Sequence, residues 1–365
     1  MEHVMASASM LTGPVLVVGT GLIGTSIGLS LRRAGVDVLL DDVIPGQAIV
    51  ARELGAGELV SAESRPQLVI VSVPPRHAAE TIARVSVAFP DAVITDVTSV
   101  KSAVLREAIA LGADPSRLVG GHPMAGREVS GATAARVDLL DDRMWILTPG
   151  DASPSSRELA GELVSACGAF AVEMSPEEHD RAVALVSHVP QVLSSALAGE
   201  LVEADEAYVR VAGQGLRDMT RIAASDDQLW ADILSTNAGP VAEVLDSLIE
   251  RLTQAREGLR SSIQGARDEQ ITELLQAGAT GHKRIPGKHG GAAASYEGVA
   301  VMLADAPGEL ARLFAAAGDE GINTEDVRIE HILGRPSGLV EVFVSPDRAE
   351  ALRVALRARG FDVRA

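Results

Sequence analysis

Cysteine is almost absent: Cys167 is the only one in 365 residues. No intrachain disulfide can form, and a metal site built on paired cysteines is excluded. The scarcity fits a reducing, cytoplasmic setting. Aromatic residues make up only 2%, which argues against the stacking platforms that hold single-stranded nucleic acid. Positive charge is also short, with 32 Lys and Arg against 50 Asp and Glu, a net charge of −18. So acidic a surface repels phosphate backbones and anionic lipid, and neither nucleic acid nor a membrane is an expected partner. An anionic substrate therefore needs a local cluster of basic side chains. Residues 14–31 carry no charge, but they are rich in glycine and begin like a strand. The first ten residues offer Glu2 and His3 rather than a basic flank. This argues against a signal peptide or a membrane helix.

What is present is a globular composition, 47% hydrophobic, long enough for two or three domains. Residues 1–12 read as a polar tail. From residue 13 to 170, short apolar runs (15–19, 36–40, 68–73 and 92–95) alternate with helical stretches. This is the pattern of βαβ units around a parallel sheet, an α/β Rossmann-like domain. Residues 171–278 predict an all-α domain. There Val241, Val244, Leu245, Leu248, Ile249, Leu252 and Leu259 share one helix face, which suits either core or a dimer surface. Residues 279–294 read as a Gly-rich, basic linker. Residues 295–365 predict βαββαβ, a small α+β ferredoxin-like unit.

The turn Gly19-Thr20-Gly21-Leu22-Ile23-Gly24 follows an apolar strand and opens a helix. Gly19 permits the tight bend, Gly21 lets backbone approach a pyrophosphate, and Gly24 lets helix and strand pack closely. The helix N-terminus, with Leu22 and Ile23, then offers free N–H groups to phosphates. Asp42, with Asp41 as the fallback, follows at the spacing of a ribose-binding carboxylate, and no Arg succeeds it. NAD is therefore expected over NADP. Ser72, Pro74 and Asp96 close two further apolar runs, and ligands of such sheets bind beyond the strand ends.

Four more segments carry chemistry. The loop from Asp96 to Lys101 contains Ser99 and is expected to face the nicotinamide. Gly120-Gly121-His122-Pro123-Met124-Ala125-Gly126 reads as a loop holding one imidazole between glycines. Ser187-His188-Val189-Pro190-Gln191 lies in a helical stretch, where Pro190 frees the carbonyl of Val186 and aims His188 toward a cleft. Arg217, Asp218 and Arg221, followed by Trp230, form a positive site against the acidic background. The planar Arg fork suits a carboxylate. Taken singly, each of these is an ordinary surface or core residue.

Taken in this order, the motifs over residues 14–278 resemble the prephenate dehydrogenase (TyrA) family, and the last unit resembles an ACT domain through Asp305-Ala306-Pro307-Gly308 and Gly321-Ile322-Asn323. The resemblance implies NAD-dependent oxidative decarboxylation of prephenate to 4-hydroxyphenylpyruvate in tyrosine biosynthesis. It implies His122 as the acceptor of the C4 hydroxyl proton, and Ser99 orienting His122 or that hydroxyl. Arg221 clamps a carboxylate, His188 is a second anchor, and Arg217, Asp218 and Trp230 line or gate the entrance. Glu128 and Ser130 support the His122 loop. A homodimer and a tyrosine effector at the C-terminal unit follow from the same resemblance.

Arg127 stands where some members have a small polar residue, which leaves prephenate and arogenate both open. A 3-hydroxyacid dehydrogenase relative would want a catalytic Lys after the cofactor domain, and none lies between Lys101 and Lys283. A non-catalytic sensor of dinucleotide or amino acid stays open on the sequence, as does a purely structural role for the last unit.

Overall fold

In the computed structural model, residues 11–127, 129–285, 296–331 and 337–364 are described. Residues 1–10 of the expected tail, Glu128 and residues 286–294 of the expected linker lie outside that set. The chain divides into two compact units, Met1–Ile249 and Glu250–Ala365.

The first unit is built on β1 (Val15–Val18), α1 (Leu22–Arg33), β2 (Val38–Asp41), α2 (Pro45–Glu53), β3 (Glu58–Leu59), β4 (Leu68–Val71), α3 (Pro75–Ala88), β5 (Val93–Asp96), α4 (Ser102–Ala110), β6 (Leu118–Pro123), β7 (Met144–Thr148), α5 (Pro154–Ala166) and β8 (Phe170–Glu173). The strands form one sheet in the order β3-β2-β1-β4-β5-β6-β7-β8. Neighbours run parallel except β6 and β7. Strands β1 and β4 are buried throughout because helices cover both faces, hence their unbroken apolar runs. Successive side chains of β1 alternate between two cores. Val15 and Val17 join Ile27, Leu31, Trp145 and Leu163, while Leu16 and Val18 join Ile82, Ile94, Val104 and Leu105. The uncharged stretch 14–31 is thus a strand, a turn and a helix.

Two expectations need correction. His122 is on strand β6, not in a loop. Gly120 and Gly121 are there for close packing: a Cβ on Gly120 would lie 2.2 Å from Thr148 Oγ1, and one on Gly121 would lie 2.6 Å from the Asp96 carbonyl. The expected boundary after residue 170 also cuts β8, which pairs with β7 out to Glu173.

Helices follow: α6 (Pro176–Val183), one π-helical turn (Ala184–His188), α7 (Val189–Gly199), α8 (Glu206–Val209), α9 (Gln214–Thr220), α10 (Asp227–Thr236) and α11 (Ala238–Arg260). A capping box between Ser175 and Glu178 starts α6, satisfying two orphan N–H groups. The π turn precedes Pro190, which has no N–H to return to Val186. The continuous stretch Pro176–Gly199 is long and apolar enough, by length and composition, to cross a membrane. It carries buried His179, Asp180, His188 and Gln191, all of which hydrogen-bond to protein. The apolar stripe of α11 divides. Val241, Val244, Leu245 and Leu248 pack with Ala184 and Val189, whereas Ile249, Leu252 and Leu259 are exposed.

In the second unit, α12 (Gln264–His282) absorbs residues 279–282, which had read as linker. Gly281 is tolerated there because the helix is already propagating. Then come β9 (Glu297–Ala304), α13 (Glu309–Asp319), β10 (Asp326–His331), β11 (Ser337–Val344), α14 (Pro346–Ala358) and β12 (Asp362–Val363). The antiparallel order β10-β11-β9-β12 places Val299, Val301, Leu313, Val342, Leu352 and Leu356 in one core.

Gly24 has the least room of the helix α1 glycines, since a Cβ would lie 2.0 Å from the Gly19 carbonyl. Gly24→Ala is expected to cost about 1–3 kcal/mol by overpacking. Thermal unfolding and NAD⁺ titration check this, and an unchanged melting temperature with unchanged affinity contradicts it.

Candidate active site

Gly19 bends back from β1 with φ +97°, and its N–H donates to the Asp41 carbonyl at 2.8 Å. A Cβ there would lie 2.2 Å from the Ser72 carbonyl, so only glycine fits. Gly21 differs: nothing lies within 4 Å of its missing Cβ. That open space, beside an α1 N-terminus with no side-chain cap, is the cradle a dinucleotide pyrophosphate requires. Asp42 faces the turn. One carboxylate oxygen accepts from Thr20 N and Oγ1 at 2.7 and 2.9 Å, and the other accepts from Ile44 N at 2.8 Å.

Beside the turn opens a cavity of about 710 Å³, within the size range of small-molecule sites. Gly21, Leu22, Ile23, Ser72, Pro74, Ser99, His122 and Trp230 all stand on its wall. Asp96, expected to meet the cofactor, is not on that wall. It is fully buried and paired with Lys101. It also accepts from Thr98 N at 3.0 Å and Gly121 N at 3.2 Å. Lys101 Nζ completes its bonding with Thr98 Oγ1 at 3.0 Å and the Gly121 carbonyl at 2.6 Å. A buried ammonium must be fully paired in this way. This pair braces the end of β6 just before His122.

His122 is half-buried, with its Nδ1 2.9 Å from His179 Nε2. His179 Nδ1 in turn lies 2.8 Å from Asp180 Oδ1. Asp180 also accepts from Lys101 N at 2.8 Å and Ser102 N at 2.9 Å. Burial pushes the Asp180 carboxyl up, but the hydrogen bonds from His179, Lys101 and Ser102 outweigh it and hold it below the ordinary range. The histidines go the other way. Burial, then repulsion from His179, Lys101 and His188, holds His122 well below 6.5. Burial lowers His179, and burial with the nearby His179 brings His188 to about 4. All three are neutral near pH 7, and His122 is available as a base.

His188 departs from expectation. It is fully buried, turned away from the cavity wall while its neighbours Ser187, Pro190 and Gln191 line it. Asn237 Nδ2 reaches both the Asp180 carbonyl at 2.9 Å and His188 Nδ1 at 3.0 Å. A carbonyl only accepts, so that Asn atom is the amide nitrogen and His188 Nδ1 is an acceptor. The ring proton is then on Nε2, which is buried without a partner among the described residues, beside the edge of Trp230. Arg217, Asp218 and Arg221 are exposed on α9 and the turn after it, off the cavity wall. Asp218 accepts from Gln214 at 2.8 Å. Arg127 and Ser130 are on the wall, and Arg127 donates to the Ala134 carbonyl at 2.9 Å.

His179, Asp180, Asn237 and the Lys101–Asp96 pair escaped the sequence reading. Adjacent helix residues do not face each other, so nothing in a His-Asp dipeptide announces a connected pair. The available signal was polar side chains on the apolar face of an otherwise buried helix.

Family models place the chain. Residues 27–173 match the prephenate dehydrogenase nucleotide-binding domain, and residues 175–277 match the prephenate dehydrogenase dimerization domain. The chain is 38% identical to the probable prephenate dehydrogenase NovF of Streptomyces niveus, over 94% of this chain and 97% of that protein. The chain belongs to the prephenate dehydrogenase family. The prephenate dehydrogenase of Bacillus subtilis is 29% identical over 94% of this chain and 96% of its own length. Among solved structures, the prephenate dehydrogenase from A. aeolicus in complex with hydroxyphenyl propionate and NAD⁺ superposes with a TM-score of 0.67 at 30% identity. That match covers 76% of this chain and 99% of the other.

The lowered histidines of this family member make its stability depend on pH. An unfolded His takes up a proton near 6.5, whereas the folded rings resist protonation until lower pH. The unfolded state then binds more protons, so stability falls as pH drops through 6.5 toward 4. His188→Gln is expected to flatten that slope in thermal melts. An identical slope in the variant contradicts the assignment.

Proposed function

We propose that the chain oxidises prephenate to 4-hydroxyphenylpyruvate and CO2 in tyrosine biosynthesis, with His122 taking the proton of the C4 hydroxyl. The observation that carries this reading is the His122 imidazole on the wall of the cavity that the glycine turn also lines. NAD⁺ held on Gly19, Gly21 and Gly24, with Asp42 at the ribose, supplies the hydride acceptor. As the C4 hydrogen leaves with its electron pair, His122 accepts the hydroxyl proton and a C4 carbonyl forms. Loss of the ring carboxylate as CO2 pushes electrons into the dienone, and the phenolate recovers a proton as the ring aromatises. A base of near-neutral or lower pKa suits this step. Ser99 stands on the same wall to orient the hydroxyl or the ring. The buried Nε2–H of His188 is suited to a substrate oxygen. Two cations stand on the wall, Arg127 and Arg76, and Arg76 is paired with Asp232.

The expected clamp at Arg221 and the expected gate residues Arg217 and Asp218 lie off that wall, whereas Trp230 stands on it. Exposed Ile249, Leu252 and Leu259 on α11, within the matched dimerization domain, support a homodimer. The C-terminal βαββαβ unit, with a cavity of about 360 Å³ beside Asp305 to Gly308, supports an ACT-type site for a tyrosine effector. A cytoplasmic setting accords with the single buried cysteine.

The direct test is reduction of NAD⁺ and NADP⁺ with prephenate and with arogenate, with and without tyrosine. Prephenate with NAD⁺ is expected to be the best pair, and tyrosine to slow it. Faster turnover of arogenate reassigns the substrate, and no turnover of either rejects the enzyme reading. His122→Asn is expected to lower kcat about 100-fold or more with little change in KM. A near-normal kcat removes His122 from the mechanism.

A further inference from the structure

We infer that His179 and Asp180 are positioning residues that fix the tautomer of His122, leaving its Nε2 lone pair as the only ring site open to the substrate hydroxyl. The inference rests on His122 being the base, and it is argued from hydrogen-bond direction. An ionised carboxylate only accepts, so the 2.8 Å contact between Asp180 Oδ1 and His179 Nδ1 puts the His179 proton on Nδ1. Neutral His179 then has an acceptor at Nε2. The 2.9 Å contact to His122 Nδ1 must therefore be donated by His122, whose remaining nitrogen, Nε2, carries no proton.

The direction of the whole chain is set at Asp180. Its Oδ1 also takes the Lys101 N–H and its Oδ2 the Ser102 N–H, so it has neither a proton to give nor freedom to turn. When His122 becomes an imidazolium during turnover, its Nδ1–H points along this chain toward the carboxylate. The charged and titratable groups around His122 are Asp96 on β5, Lys101 before α4, His179 and Asp180 on α6, and His188 on the π turn. Lys101 is neutralised by Asp96. Asp180 is thus the negative charge that reaches the ring through a hydrogen-bonded path. Neither His179 nor Asp180 lines the cavity, so neither contributes to substrate binding.

Histidine-selective ¹⁵N labelling of the wild-type protein reads the tautomer directly, because long-range couplings distinguish Nδ1–H from Nε2–H. His122 is expected as the Nδ1–H form and as the Nε2–H form after His179→Ala. An Nε2–H wild-type ring overturns the inference without any variant. In kinetics, His179→Ala is expected to lower kcat about 10- to 100-fold, the range carried by partners that orient an imidazole, with KM for prephenate and NAD⁺ unchanged. His179→Gln, whose amide oxygen can accept the same N–H, is expected to recover most of that loss. Asp180→Asn is expected to move the acidic limb of kcat/KM to lower pH, because it removes the charge that favours a protonated His122. A merely structural role predicts neither the rescue nor the shifted limb. Full kcat in His179→Ala with loss of activity in His122→Asn rejects the chain of histidines alone. Full kcat in His122→Asn rejects the base itself.

Discussion

The Asp180 carboxylate is the point on which the site depends. It accepts the N–H groups of Lys101 and Ser102 where α4 begins, and the imidazole proton of its neighbour His179. Its own carbonyl accepts from Asn237, whose amide also holds His188. One residue at the start of the helical region therefore ties together the ends of β5 and β6, the π turn and the start of α11. A negative charge at the N-terminus of α4 is favoured by the free N–H groups and helix dipole there. Removing any partner would leave a buried charge or donor unsatisfied, at a cost several times that of a surface contact. The helical segment is thereby held in register with the C-terminal ends of β5 and β6, in the same sheet whose strand β1 leads into the cofactor turn.

Glycine serves two different physical ends in the same sheet. At Gly19 it supplies a backbone bend that no other residue adopts easily, and at Gly21 it leaves an opening. At Gly120 and Gly121 it allows strand β6 to lie against Thr148, Trp145 and the Asp96 carbonyl. That close approach lets Asp96 and Lys101 reach the β6 backbone, and so sets the position of His122 on the next residue. The lowered affinity of His122 for protons follows from the same crowding, since burial and three neighbouring basic groups all oppose a charged ring.

The central strands were legible because both their faces are covered: runs such as Leu68-Val69-Ile70-Val71 need no partner to be recognised. The βαββαβ order of the last unit was legible for the complementary reason, since alternation such as that of β11 marks a half-buried strand. β6 was misread because Gly-Gly-His-Pro has neither signal. Its strand identity comes from hydrogen bonds to β5 and β7. The α11 stripe was visible as a period, but a period does not say what covers it, and only its first half meets the core.

The sequence by itself determined the phosphate-cradling turn, the carboxylate after β2, the βαβ order and the single imidazole beside a predicted parallel sheet. These are local: each rests on a few consecutive residues and the steric or periodic rules that they obey. Tertiary structure decided that Asp96 is spent on Lys101, that His188 turns inward to Asn237, that Arg217 and Arg221 stand off the cavity wall, and that His179 and Asp180 stand behind His122. The contacts of His179 with His122 and of Asp180 with Lys101 join residues 57 and 79 positions apart. The hydrogen-bond directions that give such contacts meaning exist only once burial has removed water as an alternative partner.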